Sequence, residues 1–194
     1  MSDEDEAVET FYTEERWQNW IDRLEEEDLD LENEDSARLL MNLQEDTAIA
    51  VAKVVEAYED DGIGEERAHS ELTEMQEIVL AEAGLSDEET AMLLESVQMS
   101  LEVVFYAAQE YVAAGAAEGD IEEYVHAAIE AEEAEEIDAA IGYLVQAGTL
   151  VLGGDELDMS IVDEMEYGLV AEWLNGLDSL QNALSDPETV EEED

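Results

Sequence analysis

A formal charge of −53, from 58 Asp and Glu set against five Lys and Arg, decides what kind of structure this chain can form. A compact state crowds the carboxylates together, and at low ionic strength their repulsion opposes it. The same charge with few apolar residues would mean disorder. Here hydrophobic residues make up 46% of the sequence and recur at helical spacing, so the sequence predicts a folded chain whose charges must be screened. Near molar salt the Debye length is roughly 3 Å. Repulsion between surface carboxylates is then largely silenced while their hydration keeps the chain in solution. The expected setting is the cytoplasm of an organism that keeps molar salt inside its cells.

The distribution of the acid excludes two other acidic classes. A nucleic-acid mimic concentrates carboxylates on one surface, and an acidic tail protein puts them in one block. Here they are spread along every predicted helix and both ends. Lys53 is the only lysine, and after Arg67 the only basic side chains are the weak bases His69 and His126. Direct nucleic-acid binding needs a basic patch on the phosphates, so no nucleic-acid partner is expected. The chain has no cysteine and hence no disulfide or thiolate site. Its start, Met1-Ser2-Asp3-Glu4-Asp5-Glu6, is the opposite of a basic signal-peptide opening. The longest apolar run, residues 99–117, is interrupted by Glu102, Gln109 and Glu110, which reads as too polar for a membrane span. A cytoplasmic location and no membrane partner are the expectations.

Pro187 is the only proline, and the periodicity is helical throughout. The reading is all-α: a single multi-helix bundle of six to seven helices over residues 11–186, with acidic tails at 1–10 and 187–194. Residues 11–34 hold an N-terminal helix and linker that could serve as a docking appendage. Thr13 caps the first helix, with Trp17, Trp20, Ile21 and Leu24 on one face. Asn33 or Asp35 caps the second, which runs to Glu59. The third spans 65–82, with Gly84 just beyond it as a terminator. Ser86 and Glu89 form a capping box for the fourth, which runs to Ala114. That helix is apolar nearly all round, with Leu94, Val97, Leu101, Phe105 and Ala108 on one side and Met92, Met99, Val103 and Tyr106 on the other. Such a helix belongs at the centre of a bundle. Asp120 starts a fifth, which breaks near 132–136. A sixth ends at Gly153-Gly154, and a seventh covers 158–184. Gly84, Gly119 and Gly154 recur every 35 residues, but no other position repeats with them, so helical hairpins of similar length explain the spacing.

The stretches 11–20 (FYTEERWQNW) and 166–178 (EYGLVAEWLNGLD) resemble an uncharacterised family of small acidic haloarchaeal proteins, over essentially the whole chain. The resemblance implies a salt-loving archaeal origin and carries no activity, so no catalytic residue transfers from it.

Both histidines sit in Glu-x-x-His, as Glu66…His69 and Glu123…His126. Di-iron carboxylate bundles use two such motifs plus a glutamate from each of two further helices, and Glu102 is the best extra candidate here. However, metal ligands must project into the bundle. Both histidines lie beside the buried stripes of their helices, and in a chain this acidic a Glu three places before a His arises easily by chance. No metal or cofactor is therefore expected. The loop Glu59-Asp60-Asp61-Gly62 fails as a calcium loop, because with Gly62 at position six the twelfth position is Ala68. No phosphate-binding Gly-Lys-Ser/Thr, Gly-x-Ser-x-Gly or dinucleotide glycine motif is present.

One local anomaly remains. Arg16 and Arg23 flank Trp17 and Trp20 on the first helix, and Trp and Arg are enriched in binding hot spots. These four are the candidate interaction residues; the alternative is that the helix simply packs on the bundle and its arginines neutralise nearby acid. Gly142, Gly148, Gly168 and Gly176 fall inside the last two predicted helices, where close approach of those two helices is the simplest reason and a ligand pocket the alternative. The leading functional reading is a non-catalytic interaction or regulatory protein whose partner is another protein or a second copy. The alternatives are a carboxylate-bridged metalloenzyme and an acidic regulator of basic nucleic-acid-binding proteins.

Overall fold

A computed structural model describes residues 10–27, 29–30 and 32–185; the tails read at 1–10 and 187–194 lie outside the described residues, apart from Thr10. Seven α-helices form a packed bundle: α1 (Glu14–Glu26), α2 (Glu34–Glu59), α3 (Glu65–Val79), α4 (Glu88–Ala114), α5 (Ile121–Glu133), α6 (Ile137–Leu152) and α7 (Leu169–Ser185). A 3-10 turn, Met159–Glu164, lies between α6 and α7. Among the described residues there is no strand.

Local capping chemistry sets most of the starts. Thr13 accepts from the Arg16 amide, Asn33 from Asp35 and Asp120 from Glu122, satisfying amides that a helix leaves unpaired at its first turn. Three local expectations are corrected. The cap of α4 is Asp87 rather than Ser86: its carboxylate takes both the amide and the hydroxyl of Thr90, at 2.9 and 2.8 Å. That places its pKa below the usual 3.8, chiefly through the Thr90 amide. Helix α3 ends at Val79 instead of Glu82, because Gln98 of α4 donates to the carbonyls of Val79 (2.7 Å) and Ala81 (2.9 Å) and supplies the bonds that a further turn would have made. The expected seventh helix over 158–184 is broken at 165–168, where the chain bends before α7 begins.

Helix α4 lies at the centre, packed by α2, α3, α6 and α7. Leu101, Val103, Val104, Phe105, Ala107 and Ala108 are fully buried. The expected all-round burial does not extend to Met92 and Tyr106, which are exposed. By length and composition α4 is apolar enough to cross a membrane, contrary to the reading of residues 99–117; here four helices cover its apolar faces.

Close approach to α4 depends on two glycines. A Cβ added to Gly176 of α7 would overlap the Ser100 carbonyl oxygen and lie 2.7 Å from its carbon, and one added to Gly148 of α6 would meet Ala107 Cβ at 2.5 Å and Leu177 Cδ2 at 3.0 Å. Both glycines thus let their helices down onto α4; the expected close approach of α6 and α7 holds at Gly148, which also faces Leu177 of α7, whereas Gly176 serves the contact with α4. Around Gly176, Gln44 of α2 donates to Ser179 Oγ (2.8 Å) and to the Asn175 carbonyl (3.2 Å), and accepts from Ser100 Oγ (3.0 Å). One amide thereby joins α2, α4 and α7.

Candidate functional site

The N-terminal aromatic and arginine set is built around a carboxylate. Asp46 of α2 is the one Asp or Glu buried among the described residues, at 6% exposure. A buried carboxylate is tolerable only when its lone pairs are filled, and here α1 supplies the donors. Arg16 bonds it through Nε (3.0 Å) and Nη2, and Trp20 Nε1 donates at 2.9 Å. The Arg16 guanidinium also lies 5.2 Å from the Tyr12 ring centre, and that of Arg23 lies 5.2 Å from the Trp20 ring centre. Trp17 is buried with Ile21 and Leu24. All four candidate interaction residues are thus engaged within the chain; Trp20 is half-buried, and Arg23, stacked on it, is exposed. Tyr12 is buried with its hydroxyl unbonded among the described residues. Burial pushes its pKa up to about 12, against a lowering effect of the neighbouring Thr47.

The two Glu-x-x-His motifs do not converge. Glu66 and His69 lie exposed on α3, which packs on α2 and α4, whereas Glu123 and His126 lie exposed on α5, which packs on α6. His69 Nδ1 faces Thr73 Oγ1 at 3.4 Å, and His126 Nδ1 lies 2.8 Å from the Glu122 carbonyl. Among the described residues no three His, Asp or Glu side chains gather as metal ligands would.

His126 instead borders an open cleft between α5 and the strap formed by residues 157–168. The strap is tied at both ends. Leu157 is buried, and its amide and carbonyl bond the Gln181 side chain at 2.6 and 3.2 Å. At the other end Glu132 of α5 lies against Gly168 and accepts the Val170 amide at 3.3 Å, capping α7 from a neighbouring helix. Asp158 starts the 3-10 turn by accepting the Ser160 amide, which lowers its pKa from the usual 3.8. No residue of the turn itself is buried. The cleft has two connected parts, of ≈ 170 and ≈ 510 Å³, sharing His126, Ile161 and Glu164. Ile129, Ile161 and Met165 give it an apolar lining, and Glu122, Glu133, Asp158, Glu164 and Glu166 stand around it. Tyr167, 77% exposed, stands at its edge.

Asp46 and the cleft were both missed by pattern reading. An acid at 46 flanked by the buried stripe residues Leu43 and Ala50 was the available signal for the first. Gly168 after Glu166-Tyr167, together with the capping residue Asp158, was the signal for the second.

These features define an all-helical, acid-surfaced bundle with an open side-chain-lined cleft. The chain belongs to DUF2150, a family described as uncharacterized proteins conserved in archaea, whose model matches residues 10–193. No curated protein and no solved structure matches it.

Proposed function

We propose that this protein is a non-catalytic interaction or regulatory protein of a molar-salt archaeal cytoplasm, and that the cleft between α5 and residues 157–168 receives a segment of a protein partner. The carrying observation is Tyr167, a large aromatic ring 77% exposed beside the apolar lining of Ile129, Ile161 and Met165. Exposed apolar surface of this kind marks interaction sites, and in high salt apolar burial supplies affinity while charges act at short range. The surrounding carboxylates favour a segment that carries Lys or Arg beside its apolar anchors. This chemistry suits a regulator of basic proteins, and it disfavours nucleic acid itself, whose phosphates would meet Glu122, Glu133, Glu164 and Glu166. Arg23, exposed and stacked on the half-buried Trp20, forms a second, smaller docking element.

Capture from an archaeal lysate in molar KCl tests the reading. The parent is expected to retain a discrete set of proteins that Tyr167→Glu combined with Ile161→Glu loses at unchanged helix content, while Arg23→Gln weakens capture only slightly. Equal capture by the cleft variant would remove the cleft from the proposal.

The salt requirement has its own test. Circular dichroism is expected to show high helix content in molar KCl and substantial loss in dilute buffer near pH 7. Mild acid should partly replace salt. Glu172 and Asp178 have pKa values raised by burial, so their contribution to stability is present below the ordinary carboxylate range and is lost as pH rises through their native values. The caps Asp87 and Asp158 are shifted the other way, so stability falls again in stronger acid. A full cooperative melt in dilute buffer at pH 7 would refute the salt adaptation.

A further inference from the structure

After His69 the sequence holds one side chain that can carry a positive charge, His126, and the fold sets it in the cleft. It lines both parts of the cleft together with Ile161 and Glu164, so these three form the neck where the parts join. His126 belongs to α5, and the other two belong to the strap.

The backbone fixes the form of the ring. Its Nδ1 lies 2.8 Å from the Glu122 carbonyl oxygen. A carbonyl only accepts, so Nδ1 carries the proton of the neutral ring and donates it there. Nε2 keeps a lone pair and is the nitrogen that takes a second proton. The charged groups around it are all acids. On α5, Glu122, Glu123 and Glu130 stand within about one turn of it. The strap brings Asp158 and Glu164 to the same part of the cleft, and Glu133 and Glu166 border the larger part. Of the helices packed on α5, α6 has Asp138 as its one charged residue, and α7 has Glu172 and Asp178. With the ring neutral, the cleft is purely anionic. Protonation places a cation at its neck.

We infer that His126 is a pH switch on the cleft: the neutral ring admits the Lys or Arg of a bound segment, and the protonated ring displaces it. This rests on the reading of the cleft as a docking site and adds its regulation. The sign follows from linkage. A cation bound beside the ring disfavours its protonation, so protonation disfavours the bound cation by the same free energy. Binding is complete while the ring is neutral and is lost as pH falls through the range where histidine gains charge, about 8 to 5. Asp and Glu ordinarily titrate below that range, so among the cleft residues the histidine makes the change. Near molar salt the Debye length is roughly 3 Å, and only a cation seated against the ring feels it.

A fluorescent helical peptide made of leucine and lysine, titrated onto the full chain in molar KCl and followed by anisotropy, tests the switch. The binding at about pH 8 that Tyr167→Glu combined with Ile161→Glu removes, at unchanged helix content, is the share held by the cleft. That share is expected to weaken by about threefold or more between about pH 8 and 5.5. His126→Gln keeps a neutral acceptor and should bind equally at both ends of the range, whereas His126→Lys should bind weakly at both. His69→Gln, on α3 outside the cleft, should keep the full pH step. The absence of any cleft share at about pH 8 would overturn the docking reading and the switch together. A cleft share indifferent to pH, or a step that survives His126→Gln, would overturn the switch alone.

Discussion

At Gly176, α7 lies so near α4 that no side-chain carbon fits between them; at Asp46, α1 is held on α2 by one carboxylate that gathers three donated bonds. Both are contacts between helices, yet they differ in tolerance. The first is steric: it is insensitive to salt and allows no added atom, because packed backbone cannot move aside as a flexible side chain can. The second is electrostatic and partly wet, since Arg16 keeps 39% of its side chain in solvent. It can lose strength by degrees. A chain with almost no cations has spent one of its five on fastening its first helix, and holds its centre by apolar side chains with two glycines at the closest contacts.

The largest expected effect is at the steric contact. Gly176→Ala should destabilise by about 3 kcal/mol or more, as overpacking against backbone exceeds the usual 1–3 kcal/mol range; thermal melting in molar KCl measures it. A small effect would mean that α7 can lift from α4, and the contrast would fail. Asp46→Asn should cost about 1–2 kcal/mol, reduced by the solvent exposure of Arg16. The emission of Trp20 should change while the far-UV helix signal is kept. If this change cost more than Gly176→Ala, the clasp and not the centre would be the decisive contact. The smallest effect sharpens the comparison by its sign. Gly142 of α6 is exposed, and an added Cβ there meets nothing within 4 Å. Gly142→Ala should therefore stabilise by about 0.5–1 kcal/mol, the ordinary gain for a helix interior.

Sequence periodicity and capping residues made the helices readable, since both signals act within a turn or two. Thr13, Asn33 and Asp120 start helices because their side chains reach amides two or three residues ahead. The misreadings arise where the deciding partner is distant in sequence. The end of α3 depends on Gln98, up to 19 positions away, and the start of α7 on Glu132, 38 positions away. Gly142 and Gly176 are alike in sequence and opposite in surroundings. The candidate site was legible only in part. Arg16 and Trp20 stood out by residue type, but the acid that binds them lies 30 and 26 positions on. The cleft was hidden by reading residues 158–168 as helix.

The amide of Gln44 has a consequence for the order in which the chain assembles. It bonds the Asn175 carbonyl across 131 positions, and Ser96 of α4 reaches Glu172 across 76. During synthesis α4 therefore leaves the ribosome well before the helix that completes its surroundings. At about 5–20 residues per second that interval is roughly 4–15 s. Throughout it an apolar helix is incompletely covered, so α7 closes the fold last, and a chain cut short before it would present the surface that chaperones and proteases recognise.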